Sequence, residues 1–508
     1  MATAVVEERE LLKTISWFDG FVVAMANPSF LITGLGASVL GLGGWGAVIL
    51  WTVSVIVGAL HNYVYSELAA MFPKLSGGIA IYAHEAWKKY LSFVGPVAAF
   101  GYWIGWSVVL SATGVVVGFL VQAQFYTSSA TSDFWNAHGH LIGSHVPLYF
   151  SFPIALTVVI IAVIWTFNVI GMRPAVWVGY VTGALLLIPL AVIMFLPYIT
   201  GDWHSSNLHS NVNWHALTAD NGIKLVIVWL YVMCWSSYGM ECCATFAPEY
   251  HDTERDTAKA LRVAAIFGVI VYGLLPLGAV GTFGDQNITL DNYLGSFYAT
   301  TFHDILGTGT GVAIILLCAG IVLAMNTATA DGSRALYGIS QDGMTIKWLG
   351  HLNRYHVPAN AMTVDALLNI ALLCTYASDP IGALKILVFS NLGYVLCHVF
   401  ATSGFVLLRR DRPNWPRPIK VSSTWVAICC ALFVFDLVLL IFGAANVGLA
   451  YGASTRSTLI PSLLILVIAL GLYVFRVVVQ DKKPLQLRLP AATMPEEEKT
   501  LDAPTTTI

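Results

Sequence analysis

Apolar residues in this chain come in long unbroken runs. They lie near residues 15–42, 45–72, 92–122, 150–170, 175–198, 224–247, 262–283, 309–337, 359–378, 382–408, 424–450 and 457–480. Each run is long enough to cross a hydrocarbon layer of about 30 Å as a helix rising about 1.5 Å per residue. In lipid every backbone polar group must be satisfied internally, so runs of this kind predict helices. The expectation is an all-α integral membrane protein with twelve transmembrane helices.

Two polar interruptions sit inside these runs. The first is Ala26-Asn27-Pro28-Ser29. A proline here removes a backbone donor and disfavours the α region at Asn27. One helix should therefore stop near Met25 or Ala26. A second should start with Asn27 as N-cap and Pro28 in the first turn, where its missing N–H costs nothing. The second interruption is Trp235-Ser236-Ser237-Tyr238-Gly239-Met240-Glu241, in the sixth run. Gly239 weakens a helix, the serines compete for backbone groups, and a carboxylate at this depth calls for a partner or a cavity. A break at Ser236–Gly239 is expected. Broken helices at matching positions of two halves point to inverted repeats with a binding site between them. The chain then divides into an N-terminal segment (1–14), a first repeat (15–198), a second repeat (224–408), two further helices (424–480) and a disordered tail (484–508). Helices four, five, nine and ten would form a scaffold around a moving bundle of one, two, six and seven.

Charge fixes the expected orientation. The 508 residues are 57% hydrophobic and 10% charged, with a mean hydropathy of +0.74, where soluble proteins carry about 25% charged residues. With the N-terminus inside, only Lys224, Lys385 and Arg456 of the 25 Lys and Arg fall outside. By the positive-inside rule both termini are expected in the cytoplasm, with the protein in the cell membrane. The first 14 residues mix acids and bases and lack the basic start of a cleaved signal peptide. The net charge of −3 says nothing about nucleic acid, and no basic tract appears, so no nucleic-acid partner is expected. The eight cysteines fall in apolar runs and read as small buried hydrophobes. His138, His140, His145, His204, His209 and His215 lie in two polar loops without tight ligand spacing, so they read as solvated rather than as a zinc site. No cofactor motif and no nucleophile–base pair is present, so an enzyme is not expected.

Several stretches resemble the amino acid–polyamine–organocation superfamily of permeases, in an order that covers Trp17 to Val479. They are Tyr65-Ser66-Glu67-Leu68-Ala69 with Phe72-Pro73-Lys74 and Gly77-Gly78, then Trp235 to Glu241, then Ser333-Arg334-Ala335-Leu336-Tyr337 with Asp342-Gly343. Leu408-Arg409-Arg410 and Pro416-Arg417-Pro418 complete the set. The resemblance implies a LeuT-like fold of five plus five inverted-repeat helices with two C-terminal helices, helices 1 and 6 being broken. It also implies a secondary transporter that moves amino acids or related amines by alternating access.

Helix termini offer carbonyls to an ammonium and N–H groups to a carboxylate. The expected substrate-binding residues are therefore Ala26, Asn27, Ser29 and Phe30 at the first break, and Trp235, Ser236, Ser237 and Gly239 at the second. The resemblance adds Gly105 and Trp106 on helix three, and Asn326 and Thr327 on helix eight before Asp331. It also makes Trp235 a candidate closing aromatic, against an ordinary packed indole. Glu241 stands as a tie between the broken helices, a proton sensor or a counter-charge, and Glu67 as an anchor of the cytoplasmic gate. His61 and His398 are intramembrane and read as hydrogen-bonded packing residues rather than relays. The first break departs from the family's Gly-Ser-Gly, so Asn27 and Ser29 side chains would replace the donor that Pro28 lacks, and an amine stands beside an α-amino acid as substrate. Helix five carries Pro189 and no lysine, and helix eight lacks a Ser-Thr pair, which argues against two known coupling modes. Exchange, facilitated uptake or proton coupling through Glu241 stay open, so a coupled proton or counter-substrate is a candidate partner. An inorganic-ion carrier and a non-transporting nutrient sensor are the competing readings.

Overall fold

The computed structural model describes residues 11–126, 148–216, 219–290, 292–293, 296–376, 380–452 and 455–491. His138, His140, His145 and the tail from residue 492 lie outside the described residues. Among the described residues sixteen α-helices follow one another: α1 (Trp17–Ala24), α2 (Pro28–Met71), α3 (Gly78–Trp87), α4 (Val94–Ser107), α5 (Val109–Phe125), α6 (Phe152–Val169), α7 (Met172–Thr200) and α8 (Ile223–Tyr238), then α9 (Thr253–Phe283), α10 (Ser296–Leu306), α11 (Thr310–Gln341), α12 (Ala359–Tyr376), α13 (Pro380–Asp411), α14 (Thr424–Val438), α15 (Gly448–Tyr451) and α16 (Thr455–Phe475). A 3-10 helix, Gly239–Glu249, continues from α8. Among the described residues the one β-type contact is an isolated parallel bridge between Ile15 and Tyr250.

Ten helical stretches among the described residues are long and apolar enough to cross a membrane, and Ala359–Thr375 is a shorter apolar helix. The first stretch, Trp17–Met71, is not one rod. Gly43, at φ 74° and ψ 172°, interrupts α2, so residues 28–42 and 44–71 are separate helical segments. Only glycine adopts that left-handed φ cheaply. A Cβ on Gly43 would also stand 2.7 Å from the carbonyl oxygen of His209.

The helices turn apolar faces outward. Val159, Val163 and Phe167 on α6, and Leu463, Val467 and Val474 on α16, are exposed. Their helical spacing makes a stripe that water would penalise and lipid would not. Polar side chains face inward instead, among them Glu67, Glu241, Asp331, Asp365 and Asp436, all fully buried. Of the cysteines, Cys430 differs from the expectation of burial and is exposed on the peripheral α14. The core is built by α2 against α9, α11 against α7, and α13 against α4, with α8 packed on α2. The stretch read as disordered from residue 484 is held at its start. Ser92 N donates to Leu487 O at 2.8 Å, and Leu489 N to Lys88 O at 2.8 Å.

Candidate functional site

The first interruption falls between α1 and α2, with Asn27 preceding Pro28. Its backbone differs from the expected open gap. Asn27 sits in the right-handed region, at φ −59° and ψ −38°. The N–H groups of Ala26, Asn27, Ser29 and Phe30 bond three residues back, to Val23, Ala24, Ala26 and Asn27. The chain tightens to 3-10 winding rather than unwinding, which satisfies the groups that a proline would otherwise orphan. The second interruption is also a change of winding, and it starts later than expected. Ser236 and Ser237 stay within α8, and the 3-10 helix begins at Gly239. Backbone groups at both positions are therefore paired inside the protein, not free for a ligand.

Tyr272 of α9 joins the two interruptions. Its hydroxyl lies 2.8 Å from Asn27 O and 2.9 Å from Ser236 O, and 2.7 Å from Ser236 Oγ. One hydroxyl hydrogen is thus shared by a carbonyl from each break.

Side chains converge around Trp106. Gly239 abuts Asn27 and Trp106, and a Cβ there would be 2.2 Å from Asn27 Oδ1 and 3.4 Å from the indole. Glycine at 239 is what lets the two interrupted helices approach. Trp106 Nε1 lies 3.4 Å from Glu241 Oε1, to which the Tyr394 hydroxyl donates at 2.6 Å. Phe30 packs on Trp106 and Trp235, with ring centroids 5.7 and 4.9 Å apart. Trp235 Nε1 donates to Gly105 O at 2.7 Å. Below this level the Tyr102 hydroxyl reaches Asp331 Oδ1 and Thr245 Oγ1, each at 3.2 Å.

Three buried polar atoms here lack a partner: Asn27 Oδ1, Glu241 Oε2 and Asp331 Oδ2. All three are acceptors. A buried acceptor without a donor costs roughly 1–3 kcal/mol, more when charged. The arrangement can therefore take N–H donors from a ligand, best from a cationic amine. A cavity of about 20 Å³ borders Phe30, Trp51, Trp235, Ser236 and Asn391. It holds about one water, so the side chains must move to admit anything larger.

Other expected site residues point elsewhere. Asn326 donates to Ala175 O at 2.9 Å and accepts from Asn168 at 2.9 Å, so it ties α11 to α7 and α6 rather than facing the site. Thr327 donates to Val23 O at 3.0 Å, holding the end of α1. Ser237 pairs with Ser54 of α2 at 2.6 Å, and Ser29 donates to Gly320 O on α11 at 2.7 Å. Ala26 is fully buried and contributes backbone only to the 3-10 turn. Glu67 lies fully buried near the C-terminal end of α2. It binds Arg409, Arg417 at 3.1 Å and Val421 N at 2.9 Å, and so fixes the link from α13 to α14. Glu249 stands at the end of the 3-10 helix that follows α8. It forms a buried ion pair with Arg334, and its carbonyl accepts from Thr14 N and Ile15 N at 2.9 and 3.1 Å. Just beyond lies a cavity of about 1610 Å³ with Lys13, Lys74, Lys347 and Arg476 among its lining.

Sequence reasoning missed Tyr272, Tyr394, Tyr102 and Asp436. The tyrosines sit in apolar runs where nothing separates a polar tip from a packed ring. Asp436 was legible as the lone acid in its run.

The profile of the Amino acid permease family matches residues 15–471. The chain is 24% identical over 332 residues to the arginine/ornithine antiporter ArcD2 of Lactococcus lactis subsp. cremoris (strain MG1363), covering 61% of this chain and 62% of that one. It thus spans less than two thirds of that relative. It is 22% identical over 441 residues to the glutamate/serine transporter AimA of Bacillus subtilis (strain 168), covering 82% of this chain and 76% of that one. The cadaverine/lysine antiporter of Escherichia coli (strain K12) is 24% identical over 237 residues, 46% of each chain. With its many apolar helices, the chain is a multi-pass membrane protein belonging to the Amino acid permease family of transporters, within the amino acid–polyamine–organocation superfamily.

Proposed function

We propose that this protein is a secondary transporter for amino acids or related amines, working by alternating access, and that its substrate carries a cationic amine bound between the two interrupted helices. The observation that carries this reading is the presence of two unpartnered buried acceptors, Asn27 Oδ1 and Glu241 Oε2, on residues that neighbour Trp106. An ammonium leaving water needs acceptors, and the Glu241 carboxyl supplies the strongest once a cation holds it ionised. Relatives named for arginine, ornithine, lysine and cadaverine are consistent with a basic substrate, and one named for glutamate and serine keeps the wider class in view.

In this reading the chain has twelve spans. Residues 28–42 and 44–71 count separately and the short helix Ala359–Thr375 is included. Two inverted repeats of five are followed by two helices, with both termini cytoplasmic in the cell membrane. Trp235 leaves Gly105 to open one face. Separation of Glu249 from Arg334 and from residues 14–15 opens the other. An ammonium bridging Asn27 and Glu241 adds contacts between the halves and so changes the relative stability of the closed and open forms. A counter-substrate or a proton would reset them.

The test is a thermal-shift screen of the purified protein against basic, neutral and acidic amino acids and diamines, followed by flux in proteoliposomes. Stabilisation by cationic amines with saturable uptake supports the reading. Stabilisation without flux would mark a sensor, and flux of inorganic ions insensitive to amines would mark an ion carrier.

A further inference from the structure

We propose that His61 and Asp436 together form a proton-binding site that fastens α14 to α2 while it is occupied. Both side chains are fully buried within membrane-spanning helices. His61 Nδ1 lies 2.9 Å from Val57 O. A carbonyl can only accept, so Nδ1 carries a hydrogen. His61 Nε2 lies 2.8 Å from Asp436 Oδ2. A bare ring nitrogen and a carboxylate are both acceptors, so this contact requires one proton between them. The pair is either an imidazolium facing a carboxylate or a neutral imidazole facing a carboxylic acid. Both forms hold the same proton and are neutral overall.

Release is a balanced step. The proton leaves to solvent, Nδ1 keeps its hydrogen, and the pair becomes a neutral imidazole facing a carboxylate with a net charge of minus one. Two acceptors then face each other in the membrane interior, where an unpaired charge is costly. The contact must open or admit water, and α14 loosens. The Tyr238 hydroxyl donates to Asp436 Oδ1 at 3.1 Å, and an ionised carboxylate still accepts this bond, so release loosens the contact with α2 and spares the one with α8.

The groups around the pair do not supply a substitute charge. From α2 the neighbour is Tyr65, from α8 Tyr238, and from α13 His398, with ring centroids 5.8, 4.6 and 5.4 Å from His61. The thiols of Cys234, Cys397 and Cys429 and the carboxyl of Glu241 are the other titratable groups in this environment. None of these is a lysine or arginine.

The pair also lies close to the substrate level. His398 Nδ1 is 2.8 Å from the Tyr65 hydroxyl, and its buried Nε2 has no partner. Its ring is 4.8 Å from Tyr394, which donates to Glu241. The role of the proton as a coupling ion rests on the transporter reading above, whereas the proton site rests on the geometry of the pair.

Two measurements separate these. Acid–base infrared difference spectra of the detergent-purified full chain should contain a carboxyl band that disappears in Asp436→Asn and shifts in His61→Gln. Asn is isosteric and can still bond His61, which preserves the fold. No Asp436-dependent band overturns the proton site whatever the flux. In proteoliposomes an inward proton gradient should drive several-fold accumulation of labelled lysine or cadaverine in the wild type and none in Asp436→Asn, while exchange against internal substrate persists. Gradient-driven accumulation by Asp436→Asn overturns the coupling role. Absence of any flux in the wild type overturns the transporter reading and with it the coupling role, and the infrared result still decides the site.

Discussion

Tyr272 donates its hydroxyl to the carbonyl oxygen of Asn27 at 2.8 Å. The same hydrogen is shared with Ser236 O, 2.9 Å away, so one atom holds together two interruptions more than 200 residues apart in sequence. Tyr272→Phe leaves the ring in place and removes that hydrogen. Asn27 O keeps its bond from Phe30 N, so the variant loses one side-chain hydrogen bond, about 0.5–1.5 kcal/mol. The variant is expected to melt at a lower temperature and to show a smaller substrate-induced thermal shift. Equal values for both proteins would mean that the hydroxyl does not couple the two helices.

Trp235 bonds to Gly105 O and packs on Phe30, closing the site on one side. Trp235→Ala removes the indole and its donor together. Substrate affinity is expected to fall roughly tenfold or more, about 1.4 kcal/mol for each factor of ten. Trp235→Phe should lie between, since it keeps a ring but not the hydrogen bond. Concentration dependence of uptake measures both.

In the proposed mechanism the other end is closed by the ion pair of Arg334 and Glu249, whose side chains are only 1% and 2% exposed. Removing one partner of a buried pair strands the other and costs about 3–5 kcal/mol. Arg334→Ala is expected to lower the melting temperature and to expose Cys242 and Cys243, which are buried on the same 3-10 helix. Alkylation of these thiols, followed by mass spectrometry, should rise several-fold. Unchanged alkylation would place the closure elsewhere.

His84, on α3 outside the membrane-spanning stretches, is pushed down from 6.5 to about 4 by burial, with Lys88 and Arg412 acting in the same direction and Glu85 against it. Between those values the unfolded chain binds a proton that the folded chain refuses. Stability should therefore rise with pH across this window and fall as pH drops from 6.5 towards 4, by at most about 1.4 kcal/mol per pH unit. The melting temperature of His84→Gln should depend less on pH over this range than that of the wild type. Parallel curves would remove His84 from the account.

The membrane class and both interruptions were legible because length, polarity and proline act locally. Pro28 marks the end of a helix whatever surrounds it. The conformation at the break was not legible, because the energy of pairing Asn27 N with Ala24 O overrides the preference that a following proline imposes. Orientation of helical side chains was the other failure. Asn326 is one residue from Thr327, yet it bonds towards Asn168 and Ala175 while Thr327 caps α1. About 100° of helix separates neighbours, so naming a turn does not name its face. The arginine partners of Glu67 lie more than 340 residues away, and no spacing in the chain pairs them.

Uptake of radiolabelled lysine, ornithine and cadaverine into proteoliposomes, by the wild type, Asn27→Ala and Glu241→Gln, tests the central claim most directly. Saturable uptake by the wild type, with KM raised about tenfold or more in each variant, is the predicted result. Wild-type kinetics in both variants would contradict a substrate amine held by Asn27 and Glu241.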